Sequence, residues 1–205
     1  MSTHDAIGAS DQTAPFAGVH RFSVSQYHQM IATGVLGEND RVELLDGRIV
    51  DMTPIGSLHS VVVELTSRAL SAAIGPQWHV RNQQPITLDD SEPEPDLIVA
   101  RGAVTQYVQG HPSPSDIGLV VEVADASLDW DRTEKLRIYA SAAMPVYWII
   151  NLSDSQIEIF RNPRPAGGST PATYQSREVI ALDGAVRLTL DESDIEIAVS
   201  SLIPQ

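Results

Sequence analysis

Apolar positions along the chain recur with two periods, and the points where one gives way to the other mark out its elements. Ser23 to Ala32 (SVSQYHQMIA) follows helical spacing and offers Ser23 or Ser25 as a cap. In RVELLDGRIVDM, two apolar-rich runs flank Asp46-Gly47, a favoured two-residue turn, which predicts a β-hairpin. Leu58 to Ile74 returns to helical spacing and stops at Gly75-Pro76. Val80 to Leu88 predicts a strand, with Pro85 marking an edge or a bulge. Asp96 to Ala100 (DLIVA) and Leu119 to Ala124 (LVVEVA) are short apolar runs, the form expected of strands buried on both faces. Asp131 to Ala143 predicts a second amphipathic helix, ending before Pro145. Val146 to Asn151 (VYWIIN) and Gln156 to Phe160 are further strands. Arg161 to Thr173 is rich in Pro, Gly, Ser and Thr and reads as a loop; from there through Ile203, strands gather around Asp183-Gly184. Met1 to Gly18 has no periodicity and reads as a flexible tail, leaving residues 19–205 as one domain. The succession predicts an α/β fold: a mixed β-sheet flanked by helices, with an N-terminal hairpin and extra C-terminal strands.

Composition narrows what such a domain can do. The 205 residues are 42% hydrophobic and 20% charged, enough apolar mass for a core. There is no cysteine, so thiolate nucleophiles, thiolate metal sites and disulfides are excluded. A metal would rest on oxygen or imidazole, which favours magnesium or manganese. No apolar run is long enough to span a membrane and no basic-then-apolar leader opens the chain, so a cytoplasmic protein is expected. The net charge of -14 works against broad duplex binding, which draws on basic surface. The 13 basic residues are twelve arginines and one lysine, Lys135. A lone lysine against that bias is a candidate for proton or charge chemistry that arginine cannot perform.

Three positions carry the candidate chemistry. Glu122 interrupts an apolar strand between Val120 and Ala124 on its own face, and an ionised carboxylate there is costly unless paired or metal-bound. Asp96 opens the preceding apolar run after Pro-Glu-Pro, either as a turn residue or as a second carboxylate at the mouth of a buried strand. On a helical wheel of about 100° per residue, Lys135 falls within the apolar arc of Leu136, Ile138, Tyr139 and Ala142. Snorkelling from the helix edge is the plainer alternative. Asp131, three residues before Glu134, reads as a helix cap. On the earlier helix, His59 faces inward with Val62, Thr66 and Leu70, as a core, cap or site residue, whereas Glu64 is solvated. Gln84 shares a strand face with Val80, Ile86 and Leu88. Glu43 lies in the first hairpin strand and reads equally as an exposed strand residue.

An acid opening one strand, an acid inside the next and a lysine nearby resemble the PD-(D/E)XK nuclease superfamily. More closely, ELLDGRIVDMTP followed by His59, Gln84-Pro-Ile, Pro95-Asp96-Leu, Val121-Glu122-Val123, Asp131-Arg132-x-x-Lys135 and Val146-Tyr147-Trp148-Ile149-Ile150 resemble the Uma-type family of restriction endonucleases, from about Arg21 to Ile203. The resemblance implies a restriction-endonuclease-like fold with Asp96 and Glu122 as magnesium or manganese ligands. It further implies Lys135 as the catalytic lysine, Glu43 as a further catalytic acid, and His59 and Gln84 lining the site. Ala124 stands where the superfamily's Glu-x-Lys places its lysine, and Ala-Asp-Ala-Ser follows Glu122 in place of Ser-Pro-Ser-Thr. The implied activity is metal-dependent phosphodiester hydrolysis, with DNA as the nucleic-acid partner. The alternative is a non-catalytic metal-binding or assembly module on the same fold. Exposed apolar hairpin and C-terminal strands would suit a homodimer.

Overall fold

The computed structural model describes residues 18–37 and 39–204, and the expected tail falls outside them but for Gly18. The first helix, α1 (Val24–Ala32), is closed by Ser23, whose hydroxyl accepts the Gln26 N–H while the Gln26 side chain accepts the Ser23 N–H. Next come β1 (Val42–Leu45) and β2 (Arg48–Asp51), paired antiparallel about the expected turn. Asp46 and Gly47 both have positive φ, 52° and 70°, the left-handed pair that matches the twist of two hairpin strands. The Leu44 carbonyl accepts the Glu92 N–H at 2.7 Å and the Gly47 N–H donates to Asp90 at 2.8 Å, so the hairpin is held to the body of the fold.

The long helix α2 (Ser57–Ala73) buries Val62, Val63, Thr66 and Leu70. It precedes the six-stranded sheet β3 (Trp78–Asn82), β4 (Leu97–Arg101), β5 (Ile117–Ala124), β6 (Val146–Asn151), β7 (Gln156–Arg164) and β8 (Thr173–Ala181), which lie side by side in chain order. Every neighbouring pair is antiparallel except β5 and β6, which run parallel and need a crossover. That crossover is helical: α3 (Leu128–Trp130), a π-turn over Asp131–Lys135, and α4 (Leu136–Ser141). A last hairpin, β9 (Ala185–Leu190) and β10 (Ser193–Ala198), follows.

The sheet separates two cores. On one face, α2 and the β9–β10 hairpin pack Val62, Leu70, Val186, Leu188, Ile195 and Ile197 against Leu119, Val121 and Val123. On the other, α4 packs Ile138, Tyr139 and Ala140 against Val120, Ala124, Tyr147 and Ile149. All eight residues of β5 are buried, as a run that is apolar but for Glu122 anticipates.

Four expectations change. The strand expected over Val80 to Leu88 begins at Trp78 and ends at Asn82, because Gln83 takes a left-handed φ of 48° that turns the chain out of the sheet. The loop expected from Arg161 begins only after Arg164, since β7 keeps pairing with β8 through Pro163 and Arg164. The second helix starts before Asp131, which is therefore internal to it and no cap. The hairpin strands expected to expose apolar surface largely bury it: Val186, Leu188, Leu190, Ile195 and Ile197 are buried in the last hairpin, as are Leu44 and Leu45 in β1, while Ile49 and Val50 of β2 are half-buried. No helix among the described residues is long and apolar enough to cross a membrane.

Gly118 shows how tightly β5 is enclosed. A Cβ there would lie 2.5 Å from the Leu190 methyl and 3.0 Å from the Trp78 ring. Trp78 cannot yield easily, because its indole N–H donates to Asp191 at 3.0 Å and the Arg101 guanidinium stacks on its ring at 4.2 Å. We therefore expect Gly118→Ala to lower unfolding stability by about 1–3 kcal/mol through overpacking. Urea denaturation checks this, and an unchanged midpoint would show the β9 hairpin to be loosely held.

Candidate active site

Five segments meet where β4 and β5 part company. The antiparallel ladder between them stops at the pair Leu97 and Val121, one residue short of Asp96 and Glu122. Beyond that point side chains take over from the main chain. The Asp96 carboxylate accepts the Val123 N–H at 2.8 Å, and Glu122 accepts the Asp96 N–H at 3.3 Å. The two acids are thus cross-strand neighbours at the open end of a buried ladder, which brings their carboxylates to one place.

Lys135 enters from the π-turn. Its ammonium donates to Glu122 at 3.0 Å and stands 3.4 Å from Glu43, delivered by β1. The Tyr139 hydroxyl donates to the same Glu122 oxygen at 2.6 Å. Lys135 and Glu122 are only 8% and 4% exposed, so this is an interior ion pair and no snorkelling lysine. His59, on α2, lies 3.0 Å from Asp96 through Nε2; its Nδ1 is buried and has no partner among the described residues. With a carboxylate on one side, the neutral ring must carry its proton on Nε2. Glu64 is exposed and pairs with Arg68, as the helical wheel requires.

The structure brings together Glu43, His59, Asp96, Glu122 and Lys135. It does not bring Gln84, which is solvent-exposed and outside the cleft, because β3 has already ended. Its neighbour Gln83 lines the cleft instead, with a long 3.4 Å contact to Asp96. Asp131 is the residue sequence reading misplaced. It is buried, accepts the Ser127 hydroxyl at 2.7 Å and faces the same cleft of about 160 Å³. Its spacing of four from Lys135 puts both on one helix face, a signal available in the sequence. Glu94 also lines the cleft, and its N–H donates to Glu43 at 3.1 Å.

Burial dominates the electrostatics. It pushes the Glu122 carboxyl up to about 8, with the Asp131 and Asp96 charges adding to the rise and Lys135 opposing it. Asp131 is pushed up to about 6, chiefly by burial. Burial alone would lower Lys135, but Glu122, Glu43 and Asp131 outweigh it and raise the ammonium above its ordinary value. These two rises pull against each other, since a protonated Glu122 would give Lys135 less reason to stay charged. The direction that stands is retention of protons: Lys135 remains charged, and burial leaves Glu122 and Asp131 reluctant to ionise.

Sequence comparison now bears on the site. The profile of Uma2, described as putative restriction endonuclease, matches residues 24–199. The chain belongs to the Uma2 family. Among solved structures it is similar to a putative nuclease belonging to DUF820 from Anabaena variabilis ATCC 29413, with a TM-score of 0.60 and 14% identity over 83% of this chain and 94% of that one. At that identity the likeness speaks for the fold, a nuclease-like mixed sheet. No curated protein matches the chain.

The restriction-endonuclease resemblance read from the sequence implies a divalent ion. Several carboxylates and the His59 imidazole line the cleft, and hard oxygen donors suit magnesium or manganese. Among the described residues no group of three such side chains is arranged to enclose an ion. Asp96 and Glu122 would supply two, which is ordinary for magnesium, whose remaining shell comes from water and phosphate. The Asp96 oxygen that faces Gln83 and the Glu122 oxygen that faces the Asp96 N–H are the less committed of the four.

A stability measurement tests the electrostatics. Because burial raises the Glu122 pKa from 4.5 to about 8, the folded chain keeps a proton that the unfolded chain has released across that window. Its contribution is full below the window and is lost as pH rises through it. In metal-free buffer Glu122→Gln should therefore flatten the decline in urea stability between about pH 5.5 and 7.5 by on the order of 1–2 kcal/mol. Parallel curves for the two proteins would mean that Glu122 is not held protonated by its surroundings.

Proposed function

We propose that this chain is a magnesium- or manganese-dependent endonuclease that hydrolyses phosphodiester bonds in DNA. The observation that carries the reading is the convergence of Asp96, Glu122 and Lys135 on one cleft, from two adjacent strands and the crossover helix between β5 and β6. Asp96 and Glu122 would hold the ion. When bound, it would polarise the phosphate and make water a better nucleophile at neutral pH.

The chain's own groups have distinct tasks. Lys135 carries a charge that its acidic neighbours keep in place, so it can donate a hydrogen bond to a phosphate oxygen as negative charge grows there. Tyr139, through its bond to Glu122, fixes which oxygen of that carboxylate faces the lysine. Glu43 shares Lys135 and orients it across the cleft floor. His59 and the Val123 N–H hold Asp96 by one oxygen and leave the other turned toward Gln83. Arg132 anchors the π-turn to Glu158 on β7, which is fully buried and also bonded to Arg177 at 3.0 Å.

Cleavage of plasmid and linear DNA with magnesium or manganese is the direct test. Wild-type protein should cut and should stop when the ion is chelated. Lys135→Ala, Asp96→Asn and Glu122→Gln should each lower the rate by about 100-fold or more with the fold retained by circular dichroism. Activity of Lys135→Ala within tenfold of wild type would remove the lysine from this scheme. The net charge of -14 favours a second reading, a non-catalytic metal-binding or assembly module. Manganese binding by calorimetry with no turnover of any DNA substrate would decide for it.

A further inference from the structure

The cleft has a feature that phosphate chemistry leaves unused. Of the three tryptophans, Trp148 is fully buried and Trp78 is 8% exposed beneath Arg101. Trp130 is 38% exposed, and it lines the cleft beside Asp131 and Lys135. It closes the three-residue α3, and no aromatic or guanidinium group among the described residues stacks on it. The segment from Met52 to Ile55 also lines the cleft, and Ile55 is likewise 38% exposed. The lining therefore joins acids with apolar side chains.

We infer that Trp130 is a stacking platform for an unpaired base, so that the site takes a single-stranded stretch of DNA in preference to a closed duplex. This rests on the nuclease reading above and adds a substrate class to it. Two considerations carry it. Glu94, Asp96, Glu122, Asp125 and Asp131 line the cleft against only two basic side chains, Arg41 and Lys135. Phosphate neutralisation by the protein cannot supply much of the affinity there, so contacts to the base must. An exposed indole offers such a contact to any base whose π-face is free, and in a duplex those faces are covered by neighbouring pairs. A Trp130 that served only the core would be covered, as the other two tryptophans are.

Intrinsic fluorescence tests this directly, because Trp78 and Trp148 are enclosed and serve as a fixed background. Wild-type protein with magnesium is titrated with a phosphorothioate single-stranded oligonucleotide of roughly 12 nucleotides, within the usual single-strand site size, and with the matched duplex. The single strand should quench the emission and the duplex should do so weakly. Trp130→Phe should remove most of the quench while keeping most of the affinity, read by anisotropy of a labelled strand. Trp130→Ala should weaken binding by about 5- to 150-fold, the cost of one lost base stack. The salt dependence of single-strand binding should be shallow.

Equal affinity for duplex and single strand, or unchanged binding by Trp130→Ala, overturns the inference whether or not DNA is cut. A Trp130 signal that follows protein concentration alone also overturns it, in favour of contact between copies. Quenching by the single strand without any cleavage of unmodified DNA sustains the stacking site and sinks the hydrolase reading instead. The two ideas therefore fail separately.

Discussion

The ammonium of Lys135, buried between Glu122 and Glu43, is the interaction on which the rest of the site depends. A carboxylate in the middle of a fully enclosed strand is costly to ionise, and the same strand supplies much of the core. Burial holds Glu122 toward its protonated form, and the Lys135 ammonium is the neighbour that lowers the cost of its charge. The π-turn is where that cation is brought in. It sets Asp131 and Lys135 toward the cleft while Arg132 is bonded to Glu158, so one irregular turn serves both the site and the sheet. Irregular helical turns of this kind are frequent at functional sites.

A second constraint follows from the count of charges. The lone lysine answers several acids, and burial leaves Glu122 and Asp131 among them reluctant to ionise. The cluster is stable as a partly protonated assembly and is short of positive charge. That deficit is a property of the folded cleft and not of the net charge of the chain, most of which is dispersed over exposed residues. Buried ion clusters contribute little net stability compared with apolar packing of the same volume. Their presence here in the midst of two well-packed cores speaks for chemistry over structure.

Much of this was legible in the residues. Short apolar runs gave away β4, β5 and β6, and an aspartate-glycine turn between apolar segments gave away the first hairpin. Glu122 was conspicuous because its neighbours were so apolar, and Lys135 because the helical wheel placed a cation among aliphatic residues. The errors have local causes. Gln84 was assigned to a strand face on the assumption that alternation continued past Asn82, whereas a left-handed Gln83 broke it. Asp131 looked like a cap because the helix start was sought at a polar residue, while the helix had begun at Leu128. Glu43 stayed open between an exposed strand residue and a site acid, because four residues of strand do not reveal what will cover them.

What the sequence settled by itself are features with short-range causes: the period of each element, the turn between β1 and β2, and the presence of two acids and a lysine that the core could not tolerate singly. What the tertiary structure decided is their company. Which acids share Lys135, why Asp96 is held by His59 and the Val123 N–H, and where Trp130 is left uncovered depend on contacts between segments far apart in the chain. Hydrophobic periodicity reports only that a face is buried. It carries no information on which other face buries it, and at this cleft that pairing is what turns isolated polar residues into a site.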